Sequence, residues 1–370
     1  MSGIITSFIA FLKVTKRHFK YAHRIRHLMQ MHHIENKPVS GEQAYIAFWR
    51  QLYAHVEPYS YRMYSHYCGN TPYIVPEDIG HSFIEPKLNP IRFTSFYEDK
   101  NILPLLLPDG AMPRTLLCRM NGGLILNADM SVSPIFENAT PSEIFTYVRA
   151  HDVILKPSLD SSSGRRVMKF HNVANQYVAV NDETVVLDAA FLMQYGNDWV
   201  LQEAITQHSD LDAFCSTSVN TIRVFTYRSV VDEQVYVTSA SLRIGHQGSV
   251  VDNLHAGGGF VGIDVKTGKL MCEVLDQYGN RTDSINGINF AQNEFSIPNM
   301  MDVLNFAKKV ATHNHHCRLI ALDITITEDG TPKLIEWNVT PYSYSYWIPM
   351  MTGVTPFGDK TEEIVKYCAR

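Results

Sequence analysis

The stretch Leu319–Thr340 reads LIALDITITEDGTPKLIEWNVT, with two apolar runs flanking Glu328-Asp329-Gly330-Thr331. Asp-Gly between apolar runs is the strongest short-range signal for a β-hairpin closed by a two-residue turn. With Asp329 and Gly330 as that turn, Asp323 lies directly opposite Glu336. Asn338 shares the face of Glu336, because side chains alternate along a strand. Two carboxylates facing each other across a ladder repel and weaken the sheet. A divalent cation between them converts repulsion into binding, and magnesium suits carboxylate, amide and phosphate oxygens. The alternative is a plain hairpin with one solvated acidic face. Leu322, Ile324, Ile335 and Trp337 argue for apolar surroundings, in which paired acids tend to be functional.

Composition bounds the rest. A chain of 370 residues holds two or three subdomains, and 45% hydrophobic with 19% charged residues describes a folded globular protein. A net charge of −5 argues against a global nucleic-acid binder. Cys68, Cys118, Cys215, Cys272, Cys317 and Cys368 show neither CxxC nor Cys/His zinc spacing, which points to reduced thiols and a cytoplasmic setting. No run approaches the ~18 apolar residues of a membrane span. At the N-terminus Ile4, Ile5, Phe8, Ile9, Phe11 and Leu12 precede Lys13, Lys16, Arg17, Lys20, Arg24 and Arg26, the reverse of a secretory signal. Residues 1–30 read either as a basic amphipathic helix lying on the inner face of a membrane, or as a helix packed on its own domain with a basic face in water; the second is the commoner arrangement.

Along the chain, residues 41–67 carry aromatics at helical spacing, and Pro76, Pro86 and Pro90 mark a connector. Thr140-Pro141-Ser142-Glu143 is a capping box that opens a helix. Asp152–Pro157 (DVILKP) predicts a buried strand ending in Lys156, followed by the loop SLDSSSGRR over 158–166. Small residues around Gly164 let a backbone approach a ligand closely, and successive N–H groups there can cradle phosphate; no Walker motif is present. WVLQEA (199–204), VNTIRVFTY (219–227) and VYVTSASLRI (235–244) predict further strands. Alternation puts Arg223 on an apolar, aromatic face, where a guanidinium needs an anion, either a protein carboxylate or a ligand phosphate. Asp252-Asn253 suits turn chemistry on residue type alone, and His255, His313, His315 and His316 read as surface or core histidines.

Asp99-Lys100, VILKPS with its Ser/Gly loop, VLQEA and the DITI…LIEWN hairpin, in this order, resemble an ATP-grasp domain. NTIRVFTY, LRIG, VDNLHAGGGFVGIDVKTGKL and IALDITITEDGTPKLIEWNVTP resemble its sugar-transfer-associated branch, over about residues 95–345. The resemblance implies an α+β fold with two α+β subdomains clamping ATP: a mainly helical region over 1–94, an N-terminal ATP-grasp subdomain over 95–202 and a C-terminal one over 203–370. It implies that Lys156 and Lys100 contact the phosphates, that Ser161, Ser162, Ser163 and Gly164 form the closing loop, and that Gln202 and Glu203 read adenine. Asp323, Glu336 and Asn338 would hold Mg²⁺, and Arg223 and Arg243 would face the transferred phosphoryl group or the acceptor carboxylate. Asn220, Asn253 and the Gly257–Gly259 turn, with Gly258 at its centre, would shape the substrate pocket. The resemblance implies an acidic residue at the ribose, which would be Asp210 or Asp212, with His208 competing.

The implied reaction is ATP-dependent ligation of a carboxylate to an amine through an acyl phosphate, on a small molecule or a bacterial surface glycan precursor. A kinase of the same fold and a nucleotide-binding regulator without turnover are the alternatives.

Overall fold

The computed structural model describes the backbone of residues 2–135, 137–159, 164–340 and 347–370, and side chains from Thr15 onward within these ranges, Arg17 excepted. The fold is α+β, built from two seven-stranded antiparallel sheets and a helical N-terminal layer.

The first sheet is made by β1 (Thr115–Arg119), β2 (Leu126–Asn127), β3 (Asp152–Pro157), β4 (Met168–Val173), β5 (Gln176–Ala179), β6 (Asp182–Val186) and β7 (Trp199–Glu203). Its strand order is β2-β1-β7-β3-β4-β5-β6, so β7 and β3 lie side by side at its centre. The helix Pro141–Val148 packs Ile144 and Val148 beneath it. Its capping box forms as the sequence predicts, with the Thr140 hydroxyl accepting from the Glu143 N–H and the Glu143 carboxylate accepting from the Thr140 N–H.

The second sheet comprises β8 (Thr221–Arg228), β9 (Val235–Ile244), β10 (Gly259–Ile263), β11 (Leu270–Leu275), β12 (Arg281–Thr282), β15 (Leu319–Ile326) and β16 (Pro332–Asn338). Between them in sequence, β13 (Ser284–Ile285) and β14 (Ile288–Asn289) form a small ribbon. The order is β12-β11-β10-β9-β8-β15-β16. Every residue of β15 is buried, because both faces are covered. The helix Met300–Ala311 presents Val303, Leu304, Ala307 and Val310 to one face, at the spacing of a helical stripe. The N-terminal helices bring Ile25, Leu28, Trp49, Tyr61 and Tyr64 to the other, into a core shared with Phe225, Tyr227, Leu319 and Ala321. Asn89 stitches this layer to β15: its amide nitrogen donates to the carbonyls of Leu319 and Val339, and its oxygen accepts from the N–H groups of Arg318 and Leu319.

The chain opens on the helix Ser2–Met31. Ala22, Ile25, Leu28 and Met29 bury one stripe of it, His18 bonds Asp78 at 2.6 Å, Arg24 is tied to the buried Glu77, and Arg26 lies over the Tyr59 ring. From His18 onward, part of the basic face is therefore used inside the protein. Phe8, Phe11, Leu12 and Lys13 lie outside the described side chains. Among the described residues no helix is long and apolar enough to cross a membrane.

One expectation about the hairpin is corrected. The turn has three residues, Glu328-Asp329-Gly330, closed by Thr327 N–H to Thr331 O and Gly330 N–H to Thr327 O, with Gly330 at φ 85°. That left-handed glycine is what such a loop requires. It pairs Ile326 with Pro332, Thr325 with Lys333 and Ile324 with Leu334. A bulge between Ile324 and Asp323 then takes up Ile335, and Asp323 pairs with Glu336 after all. Turn and bulge each depart from the expected ladder by one residue, and the two departures cancel at the acids.

Candidate functional site

A cavity of about 470 Å³ opens between the two sheets. One wall comes from β3 and β7, through Ile154, Lys156, Gln202 and Glu203; the other comes from β8, β9, β15 and β16, through Arg223, Arg243, Asp323 and Glu336. Strand ends and centres place these groups because antiparallel neighbours bring every second side chain to one face.

Lys156 is the penultimate residue of β3 and is buried. Burial, and then the nearby charge of Lys100, pushes its ammonium down to about 8, against the pull of Glu336. Lys100 reaches the same spot from the segment after helix Ile91–Glu98, its Nζ 3.1 Å from Glu336 Oε2. Burial alone would raise the Glu336 carboxyl, but Lys100, Lys156 and Arg243 outweigh it and hold the group well below the usual carboxylate range.

Deeper in, Asp323 is the hub of a buried charge cluster. Arg223, paired with it across β8 and β15, donates Nε to Oδ1 at 2.7 Å and Nη2 to Oδ2 at 2.6 Å. Arg243 donates Nη1 to Oδ2 at 2.7 Å. Its Nη2 reaches Asn253 Oδ1 at 2.9 Å and Asp252 Oδ1 at 3.0 Å. Asp252 also accepts the Thr221 hydroxyl, and burial pushes its carboxyl upward against the pull of Arg243. Of the two partners the sequence left open for Arg223, the structure supplies the protein carboxylate.

Gly164 closes the cavity from the first sheet. Its φ is +64°, and a Cβ there would stand 2.5 Å from Asn253 Nδ2 and 3.1 Å from Val251, so Gly164 lies directly against the segment that follows β9. Ser161, Ser162 and Ser163 lie outside the described residues. Gln202 sits mid-sheet with Nε2 3.3 Å from Thr115 Oγ1, and Glu203 is at the rim with Arg114, 3.3 Å away.

The cavity thus collects Lys100, Lys156, Gly164, Gln202, Glu203, Arg223, Arg243, Asn253, Asp323, Glu336 and Asn338 from the sequence reading. Three expected residues stand elsewhere. Asn220 is fully buried behind the wall, its amide spent on the carbonyls of Leu211 and Cys215 and on the Gly245 N–H, so it braces loops and does not line the cavity. Gly258 packs against the backbone, where a Cβ would meet Ile244 O at 2.6 Å. Asp210 is exposed on the short helix Ser209–Asp212, whose first turn is capped by His208 Nδ1, and none of Asp210, Asp212 and His208 lines the cavity.

The sequence reading missed Glu98 and Asp252. Glu98 lines the cavity and accepts the N–H groups of Thr340, at 2.8 Å, and Val339, at 3.3 Å, fixing the chain just beyond Asn338. An acid closing an aromatic helix beside Asp99-Lys100 was its one signal. Asp252 carried none beyond its place before a glycine run.

A magnesium ion fits the donor set. Asp323, Glu336 and Asn338 offer hard oxygens on adjoining strand positions. Among the described residues the buried Asn338 amide nitrogen has no hydrogen-bond partner; as a donor it suits a phosphate oxygen, which leaves the amide oxygen for a cation. Asp323 already accepts three guanidinium N–H groups, leaving about one of a carboxylate's four acceptor positions, so Glu336 and Asn338 are the freer ligands.

Two opposed antiparallel sheets, with lysines from one side meeting acids on a hairpin of the other, make up an ATP-grasp fold. The chain belongs to the sugar-transfer-associated ATP-grasp family, whose model matches residues 81–363. No curated protein matches by sequence. Similar solved structures include an L-amino acid ligase from Bacillus licheniformis (11% identity, 69% of this chain and 44% of that one, TM-score 0.35). Others are an N5-carboxyaminoimidazole synthetase from Staphylococcus aureus complexed with ADP (8%, 74% and 52%, TM-score 0.41) and the D-alanine-D-alanine ligase from Coxiella burnetii (10%, 74% and 57%, TM-score 0.37). The chain spans about half the length of these structures.

Proposed function

We propose that this ATP-grasp enzyme joins a carboxylate to an amine at the expense of ATP, through an acyl phosphate. The reading rests on one arrangement: Lys100 and Lys156 facing Glu336, beside Arg223 and Arg243 gathered on Asp323, around a single cavity. Carboxylates are poor acyl donors, and phosphorylation gives them a leaving group. The lysines offset phosphate charge, Gln202 and Glu203 meet the base, and the loop containing Gly164 shields the reacting atoms from water. Glu336, Asn338 and Asp323 would hold Mg²⁺, which would supply positive charge to offset that of the phosphates. The arginine pair would offset negative charge that develops on the transferred phosphoryl group and the acyl oxygen.

The acceptor class follows from the family's association with sugar transfer: a bacterial surface polysaccharide or its precursor, modified with an amino acid or an amine. The decisive assay measures ADP release from ATP and Mg²⁺ with uronic acids and amino acids, with and without amines, and identifies products by mass. ADP with an amide product supports the ligase; a stable phosphoester assigns a kinase. Unchanged turnover in both Asp323→Asn and Glu336→Gln removes the metal assignment.

A further inference from the structure

We infer that His255 accepts the proton of the incoming amine, an inference that rests on the ligase reading above. His255 lines the cavity on the wall carrying Asp252 and Asn253, on the short 3₁₀ turn Leu254–Ala256, and is solvent-exposed at the rim. Its Nδ1 contacts Oε1 of Gln277. An amide oxygen only accepts, so Nδ1 carries the hydrogen and Nε2 carries the lone pair in the neutral ring. That is the tautomer a general base needs, fixed by its neighbour as in other histidine bases.

The other titratable groups of the cavity wall are committed. Glu336 pairs with Lys100, and Asp323 with Arg223 and Arg243. Asp252 is held by Arg243 and Thr221, Glu203 by Arg114, and Glu98 by two backbone N–H groups. Lys156 and Lys100 serve as cations. Among the described residues lining the cavity, His255 is the one histidine, and its ring meets the neutral amide of Gln277 at the rim.

The step balances without a further reactant. The amine lone pair forms the C–N bond at the acyl carbon, the nitrogen becomes cationic, and its proton passes to His255 Nε2. The C–O bond to phosphate then breaks, phosphate leaves with the electron pair, and imidazolium returns the proton to solvent or to the departing phosphate.

Hydroxylamine provides the discriminating probe, because it is unprotonated at neutral pH and a weak base, so its attack needs little help from a base. Wild type, His255→Gln and Gln277→Leu are each given ATP, Mg²⁺ and the carboxylates of the previous assay, with either hydroxylamine or amino acids and amino sugars. The expected result is that His255→Gln still yields hydroxamate while amide formation falls by on the order of 10²-fold, with the deficit shrinking as pH rises and free amine accumulates. Gln277→Leu is expected to shift the pH profile in the same direction by less. Equal amide formation by His255→Gln and wild type at neutral pH overturns the assignment, as does parallel loss of hydroxamate and amide. A wild type that makes hydroxamate but no amide also overturns it while leaving acyl-phosphate formation standing. No hydroxamate from any carboxylate overturns the ligase reading, and this inference with it.

Discussion

Arg223 and Asp323 face each other from adjacent strands, and one guanidinium reaches both oxygens of the carboxylate, at 2.7 and 2.6 Å. Both side chains are almost fully buried. Removing one member leaves a charge without its partner where water cannot reach it, at a typical cost of ~3–5 kcal/mol. Arg223→Met and Asp323→Asn are each expected to lose stability on that scale in urea unfolding. The double variant is expected to lose less than the two together, because neither partner is then stranded.

Gly164 makes a different kind of contact. Alanine there meets Asn253 Nδ2 at 2.5 Å and must hold a left-handed backbone, which costs a non-glycine residue ~1–2 kcal/mol. The burden falls on the loop after β3 and spares both cores. Gly164→Ala is expected to weaken MgADP binding about tenfold by calorimetry, with a nearly unchanged melting temperature.

Lys156 sets a pH limit. Its folded-state pKa, about 8, lies below the ordinary lysine value, so between the two values the unfolded chain holds the extra proton and stability rises with pH. Nucleotide affinity runs the other way, since the ammonium that meets phosphate is lost above about 8. ADP affinity is expected to fall as pH rises from 7 to 9 in wild type and to be flatter, and weaker at pH 7, in Lys156→Met.

Asn89 uses every hydrogen-bonding position of its amide to hold the helical layer on β15. Asn89→Ala strands buried carbonyls and N–H groups, each at about 1–3 kcal/mol. The expected loss is ~3 kcal/mol or more, with faster amide exchange at Arg318 and Leu319.

The N-terminal helix allows a membrane test that keeps the fold. Ile25, Leu28 and Met29 are core residues, so deleting residues 1–30 would damage the protein, whereas deleting 1–14 leaves that docking intact. If the segment meets anionic lipid, the shorter deletion lowers co-sedimentation with phosphatidylserine vesicles. Equal sedimentation disposes of the membrane contact.

Strands were legible wherever the chain reads as an apolar run with a break. Asp152–Pro157 and Val235–Ile244 fall where the sequence puts them, and Pro141–Val148 begins at its capping box. The Asp323–Glu336 facing was legible too, although its reason was not, since no local signal marks Ile335 as a bulge. What sequence could not convey is which carboxylate satisfies which arginine. Arg223 and Asp323 are a hundred residues apart, and Asp252 looks like any turn aspartate until β9 brings Arg243 beside it. Asn220 misled for the opposite reason: a polar residue before an arginine strand looks available, and only the loop carbonyls around it reveal that its amide is already used.

The bulge at Ile335 separates the hairpin into two ladders that need not share a fate. On the turn side, residues out to Ile324 and Leu334 keep one pairing; on the far side, Asp323, Leu322 and Ala321 keep another with Glu336, Trp337 and Asn338. Leu334 and Trp337, an odd step apart, both enter the core, while Ile335 and Glu336, consecutive in the chain, both reach the cavity. Drift in the length of the 328–330 loop is therefore absorbed before it reaches the acids. A one-residue change in the length of this loop is expected to leave the Asp323–Glu336 pairing in place.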